Sequence, residues 1–306
     1  DYIGSRGLGD VYKRQEYVYV AGVCAVTMAV VTLLGIAQDG GRPQPGCTRP
    51  CCENLGSEDF RSPVSLSIQT SAGKTILVEA TRDLGRQLRF IGNPSVDHLI
   101  LTHAHLGHVD GLGLFGRETM SARNIQLHCS PSMQSLVERT PAWNQLLKQN
   151  VFHFASFPRI EIDDVAVEFH KVPHRDELSD THAIIVRGKT KSILFLSDHD
   201  TWRETLDAYK CETIREFLTQ LTVDIALLDG TFWSGDELRG RDMNVVPHPT
   251  VQESLERLGM RMENDPQIVF FHFNHTNPLH KSDSEEYSTL RELGWDVGFE
   301  TQQFTL

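Results

Sequence analysis

Three imidazoles stand close together in LTHAHLGHVDGL (residues 101–112), at His103, His105 and His108. In an extended segment leaving a strand, residues two apart point the same way, so His103 and His105 face one side of the chain. Gly107 then allows a sharp turn before His108, into a helix expected to begin near Val109. Two or three imidazoles converging from one short loop suit zinc, iron or manganese. A lone histidine here would read as a polar loop residue; three at this spacing after LILT read as metal ligands.

Further ligands are expected where later strands end. His174 in HKVPHRDE, Asp198 in LFLSDHDTW and His275 in IVFFHFNHTNP each follow an apolar run. A carboxylate among imidazoles lowers the net charge of the site and can bridge two ions. His199 and Asp200 compete with Asp198 for this role, and Asp198 is preferred because it comes first past the strand. His170 and His272 are read as alternating back into the sheet, with structural roles. The loop GCTRPCC adds Cys47, Cys51 and Cys52, read either as a structural zinc site or as reduced thiols. Adjacent cysteines strain a shared ion, which favours the second reading. Cys24, Cys129 and Cys211 are isolated and read as small core or surface residues.

The elements that must position these groups follow from hydrophobic patterning. Strands are expected at 30–36, 64–69, 75–78, 98–102 and 125–128, and again at 165–170, 183–187, 192–196, 224–228 and 268–273. Amphipathic helices are expected at 130–138, 142–149, 201–208, 212–221, 250–260 and 282–293. The alternation implies a layered α/β arrangement in one domain, residues 28–306. Residues 1–27 lack apolar periodicity at their start and read as a non-native or disordered leader. The apolar run 17–37 has the composition of a membrane span or signal peptide, but its second half leads straight into QDGG as a buried first strand would.

A chain of 306 residues with 23% charged and 40% hydrophobic residues is an ordinary globular composition. The net charge of −12 excludes nucleic-acid binding through a diffuse basic surface. The six cysteines show no disulfide-like spacing, so reduced thiols and a cytoplasmic location are expected. The expected partner is a small anionic or ester substrate, with no nucleic acid and no membrane, and with a homodimer left open. Segments 115–120 and 232–241 (FWSGDELRGR) are expected to shape its pocket.

The order H-x-H-x-x-H, a lone histidine, a strand-end aspartate and a final histidine resembles the metallo-β-lactamase superfamily over nearly the whole chain from residue 28. The resemblance implies a four-layer αβ/βα sandwich of two mixed sheets flanked by helices. It implies that His103, His105 and His174 hold one ion, that His108 and His275 contribute to a second, and that Asp198 bridges. VTLLGIAQDGGRPQPGC and HFNHTNPL are similar to the pyrroloquinoline quinone biosynthesis protein B branch, whose relatives carry a cysteine-rich zinc knuckle near this place. LLDGTF followed by PHPT resembles the paired motifs of tRNA 3′-end-processing ribonucleases and related phosphodiesterases. Carried over, Asp229 orients His248, which serves the leaving group; the competing reading is that His248 caps a helix beginning at Pro249.

This sequence departs from the superfamily at Gly107, where the family carries an aspartate ligand. Three outcomes follow: one ion held by His103, His105, His174 and Asp198; two ions with the second labile; or His108 and His275 as substrate contacts. Asp110, one helical turn on, is a further group that could lean inward. The cofactor expectation is one or two divalent ions, zinc first, with manganese or iron accommodated. The expected function is a metallo-hydrolase that uses a metal-bound hydroxide on a phosphodiester, ester or lactone. The alternatives are an iron-dependent redox enzyme of the biosynthesis protein B kind and a non-catalytic metal-binding protein.

Overall fold

In the computed structural model, residues 28–238 and 246–306 are described. The 1–27 leader, with Cys24, lies outside them, as does the end of the 232–241 segment. The first half runs β1 (Val30–Gly35), β2 (Ser65–Gln69), β3 (Thr75–Val78), α1 (Leu84–Arg89), β4 (His98–Ile100), α2 (Leu106–Val109), β5 (Ile125–His128), α3 (Pro131–Arg139), α4 (Pro141–Lys148) and β6 (Phe152–Phe154). The second runs β7 (Arg159–Ile162), β8 (Val165–Val172), β9 (Thr181–Arg187), β10 (Ser192–Leu196), α5 (Trp202–Tyr209), α6 (Ile214–Leu221), β11 (Ile225–Asp229), α7 (Val251–Leu258), β12 (Gln267–Phe271), α8 (Glu285–Glu292), β13 (Asp296–Val297) and β14 (Gln303–Thr305).

Among the described residues these strands form two seven-stranded mixed sheets, ordered β14-β1-β2-β3-β4-β5-β6 and β13-β12-β11-β10-β9-β8-β7. Period-two alternation sorts the side chains between layers. In β3, Ile76 and Val78 join the core between the sheets, whereas Leu77 packs under the helices of the first half. Met133 and Val137 of α3 and Leu146 of α4 cover that outer face. Trp202, Phe217 and Leu255, from α5, α6 and α7, pack into the core of the second sheet. The expected four-layer sandwich is therefore present.

Local sequence explains where the helices start. Ser130 accepts from the Met133 amide ahead of Pro131, and Thr213 forms a capping box with Glu216. At α7 the cap is Thr250, which accepts from the Glu253 amide, so His248 does not cap that helix. The polar segments that matter most lie at one edge of the sandwich. Strands β3 to β6 are mutually parallel, as are β10 to β13, so their carboxyl ends deliver side chains together.

Candidate metal centre

His103, His105, His174 and Asp198 meet as the sequence implied, their ligating atoms all within 4.8 Å of one another. His105 Nδ1 lies 3.0 Å from His103 Nε2 and 3.2 Å from His174 Nε2, and Asp198 Oδ1 lies 3.8 Å from His174 Nε2. Each imidazole is oriented by a partner on its far nitrogen. His103 Nδ1 donates to Thr102 Oγ1 (2.9 Å), which donates to Glu79 Oε1 (2.5 Å). His174 Nδ1 donates to Asp200 Oδ1 (2.9 Å), and His105 Nε2 faces Glu177 Oε2 at 3.4 Å. These contacts fix the tautomers so that a lone pair of each ring faces the common point. Asp200, weighed as a rival ligand, instead positions His174.

The electrostatics suit the same role. Burial holds His103 well below the ordinary imidazole range, with charge on His108 adding to the effect. Burial pushes His174 down to about 3 and lowers His105, in both cases against the charge of Asp198. These three rings are therefore neutral near pH 7, the form that ligates a cation. Burial would raise Asp198, but the imidazoles of His272 and His108 hold it well below the carboxylate range. His108 moves the other way: burial would lower it, and the carboxylates of Asp198 and Glu79 carry it well above the usual value.

The second cluster corrects the sequence reading at His275. Asp39, His108 and His272 bring ligating atoms within 4.8 Å of one another, and His272 Nε2 lies 3.8 Å from Asp198 Oδ1. His275 points away, into the cysteine loop, where its Nδ1 is 3.4 Å from Cys51 Sγ and 3.3 Å from Cys52 Sγ. The physical reason is backbone conformation. His272 has φ +62°, in the left-handed region, so the chain leaves β12 out of step with strand alternation. His272 thereby turns into the centre instead of back into the sheet. Its Nδ1 donates to Thr231 Oγ1 (2.9 Å), leaving Nε2 toward Asp198. Asp39 was missed because QDGG reads as a turn; its signal was a carboxylate directly after a buried strand.

Other expectations are settled by geometry. Asp110 is engaged by Arg82 at 2.7 Å. α2 begins at Leu106, so Gly107 lies inside the helix. Phe115 is buried against Phe152, with ring centroids 5.3 Å apart, and does not line the cleft at the site. Phe232 does line it, with Arg49, Arg175, Gln44 and Asn274, in a space of about 650 Å³ beside Asp39. Asp229 and His248 are buried and paired, Nδ1 to Oδ2 at 2.6 Å, and His248 shares a cluster with Asp198 and His272. Burial would lower His248, but the Asp229 charge raises it. Cys47, Cys51, Cys52 and His275 together form a compact Cys₃His group with all ligating atoms within 4.8 Å.

The donor chemistry fits cations at these places. His108 Nδ1 faces Glu79 Oε1 at 3.4 Å, while His108 Nε2, Asp198 Oδ2 and His272 Nε2 are buried polar atoms without hydrogen-bond partners, an arrangement that costs free energy unless a cation meets them. Among the described residues no helix is long and apolar enough to cross a membrane.

Comparison with known proteins agrees with this architecture. The chain is similar to coenzyme PQQ synthesis protein B of Acinetobacter baumannii (strain SDF), 25% identical over 312 residues that cover 90% of this chain and 99% of the relative. Its fold resembles that of Zn(2+)-bound PqqB from Methylobacterium extorquens, with a TM-score of 0.68 at 19% identity, covering 90% of this chain and all of that one. It also resembles a diphosphatase from the PhnP family, with a TM-score of 0.64 at 21% identity, covering 91% of this chain and 97% of the other. The sequence profile of the Beta-lactamase superfamily domain matches residues 74–273, from β3 through the His272 corner. The chain belongs to the beta-lactamase superfamily.

Proposed function

We propose that the protein is a metal-dependent hydrolase of a small anionic ester, with a phosphodiester preferred over a carboxylic ester or lactone. The observation that carries this reading is the buried Asp229–His248 pair set against the Asp198–His272 side of the centre. His103, His105, His174 and Asp198 would hold a divalent ion, which would supply Lewis acidity for hydrolysis. The chain's own groups do the rest. Asp229 fixes His248 with Nδ1 as its donor, so Nε2 faces the centre. The Asp229 charge raises the His248 pKa against the effect of burial, which favours the protonated ring that can pass a proton to a departing oxygen. Arg49 and Arg175 on the cleft wall suit an anion. The Cys47, Cys51, Cys52 and His275 group fits a structural zinc ion, with four sulfur and nitrogen donors of the preferred kind.

The test is hydrolysis of bis(p-nitrophenyl) phosphate by protein loaded with zinc or manganese. Turnover is expected, abolished by His103→Ala and lowered about a hundredfold or more in kcat by His248→Ala. Loaded protein that leaves phosphodiester, ester and lactone probes intact would overturn the reading. The likeness over 99% of a coenzyme PQQ synthesis protein B supports a second reading, an iron-dependent redox step in cofactor assembly. Protein purified without air and found to carry iron in the histidine cluster, with no hydrolysis on zinc loading, would favour it.

A further inference from the structure

We infer that Asp39 is a ligand of the second ion position, brought from the end of β1 into the space that glycine at position 107 leaves. A Cβ built on Gly107 would stand 2.4 Å from Asp39 Cα and 2.5 Å from its Cβ and Cγ. Atoms do not approach that closely, so any side chain at 107 and the present course of Asp39 exclude one another. Gly107 is therefore the condition that lets a different carboxylate enter the centre.

Three further observations place that carboxylate as a ligand and not only as a neighbour. Asp39 Oδ1 lies 3.4 Å from His108 Nε2, which is also 3.4 Å from Asp198 Oδ2. Asp39, His108 and His272 present their ligating atoms within one 4.8 Å span, and the His108 and His272 Nε2 atoms and Asp198 Oδ2 are buried without hydrogen-bond partners. The backbone around Asp39 is also fixed to the strand end that carries His272. Gln38 N donates to Phe273 O (2.9 Å), Phe273 N to Ile36 O (2.8 Å), and Gly41 N to Gln38 O (2.8 Å). A carboxylate on so short and anchored a segment is preorganised, which is what a ligand position needs.

The inference rests on the reading of the histidine cluster as an ion site and not on hydrolysis, and its test needs no turnover. Stripped protein is titrated with Co²⁺ alone, following uptake by calorimetry and by absorption. The thiolate-to-cobalt charge-transfer band reports the Cys₃His group separately and serves as a folding control. Wild type is expected to take two ions outside that band. Asp39→Asn, nearly the same in shape, is expected to weaken one of them at least tenfold while keeping the other and the thiolate band. Gly107→Ala removes no ligand, yet it is expected to weaken the same ion by displacing Asp39. Because both changes act through one contact, the double variant Asp39→Asn/Gly107→Ala should be no weaker than the worse single variant. Asp39→Asn with both affinities unchanged overturns the assignment. So does a wild type that takes one ion outside the thiolate band, with an affinity indifferent to Asp39→Asn. If Gly107→Ala loses the thiolate band through misfolding, Asp39→Asn alone decides. Two ions bound without turnover of phosphodiester, ester or lactone probes would sink the hydrolytic reading and leave this one standing.

Discussion

His272 and His275 stand three residues apart and belong to different clusters. A φ of +62° at His272 turns its ring toward Asp198, and by His275 the chain has rotated toward Cys51 and Cys52. Substituting the two should therefore give opposite phenotypes. His272→Ala is expected to cut kcat/KM on the order of a hundredfold while the cobalt–thiolate band stays intact. His275→Ala is expected to lose or shift that band and lower thermal stability, with kcat changed only a few-fold in protein that remains folded. Equal loss of activity in both variants, measured on the same phosphodiester probe, would mean that the two clusters are not separate. The H-x-H-x-x-H set, His174, Asp198 and Asp229 were legible because each lies at or past the end of a run of buried strand residues, and His248 through the resemblance carried by LLDGTF and PHPT. His272 and Asp39 were not, because one depends on a left-handed backbone residue and the other on an approach between segments 68 positions apart, neither of which periodicity encodes.

At the scale of elements, the central strands were legible and the edges were not. β10, β11 and β12 are short, continuous apolar runs bounded by turns, the pattern of parallel strands buried on both faces. β6, β7, β13 and β14 have two to four residues each, and they pair at or beside sheet edges that sequence pattern alone marks poorly. Outside the site, one contact between elements carries a clear pH signature. Arg215 of α6 grips Asp265 through Nε (2.8 Å) and Nη2 (2.9 Å), and donates to the Leu258 carbonyl at the end of α7. This hydrogen bonding to Arg215 lowers the Asp265 pKa below its ordinary value. A depressed carboxyl pKa stabilises the fold fully above the unfolded-state value of about 3.9, and the contribution fades as pH falls through the folded value. Arg215→Met should thus cost about 1 kcal/mol, since the guanidinium is partly exposed, with the gap steady from pH 7 to 5. Below about pH 4 the gap should narrow. Urea unfolding across this range measures it, and a gap that held constant to pH 3 would rule out the carboxylate's part.

At the scale of the molecule, the centre joins the two sheets at one edge. Asp39, His103, His105 and His108 follow strands of the first sheet, while His174, Asp198 and His272 follow strands of the second. The Cys₃His group repeats the pattern, tying the loop after β1 to His275 beyond β12. The apolar core between the sheets runs the length of the sandwich without these groups, from Val31 and Leu66 across to Val167, Ile184 and Phe270. Removal of ions should accordingly loosen one edge while leaving the sheets assembled. An ion present at a hundred times its Kd stabilises the native state by about 2.7 kcal/mol. For a chain of this size each kcal/mol moves Tm by roughly 2–3 °C. Stripping one such site with a chelator should therefore lower Tm by roughly 5–8 °C, with a further fall when the thiolate site also empties. Far-UV circular dichroism should stay unchanged at 25 °C, and amide exchange should rise first in the backbone near Asp39, His105 and His272. An unchanged Tm would show that no ion clamps the sheets. Loss of the β signal on stripping would show instead that the sandwich cannot hold without its ions, contrary to the extent of its buried core.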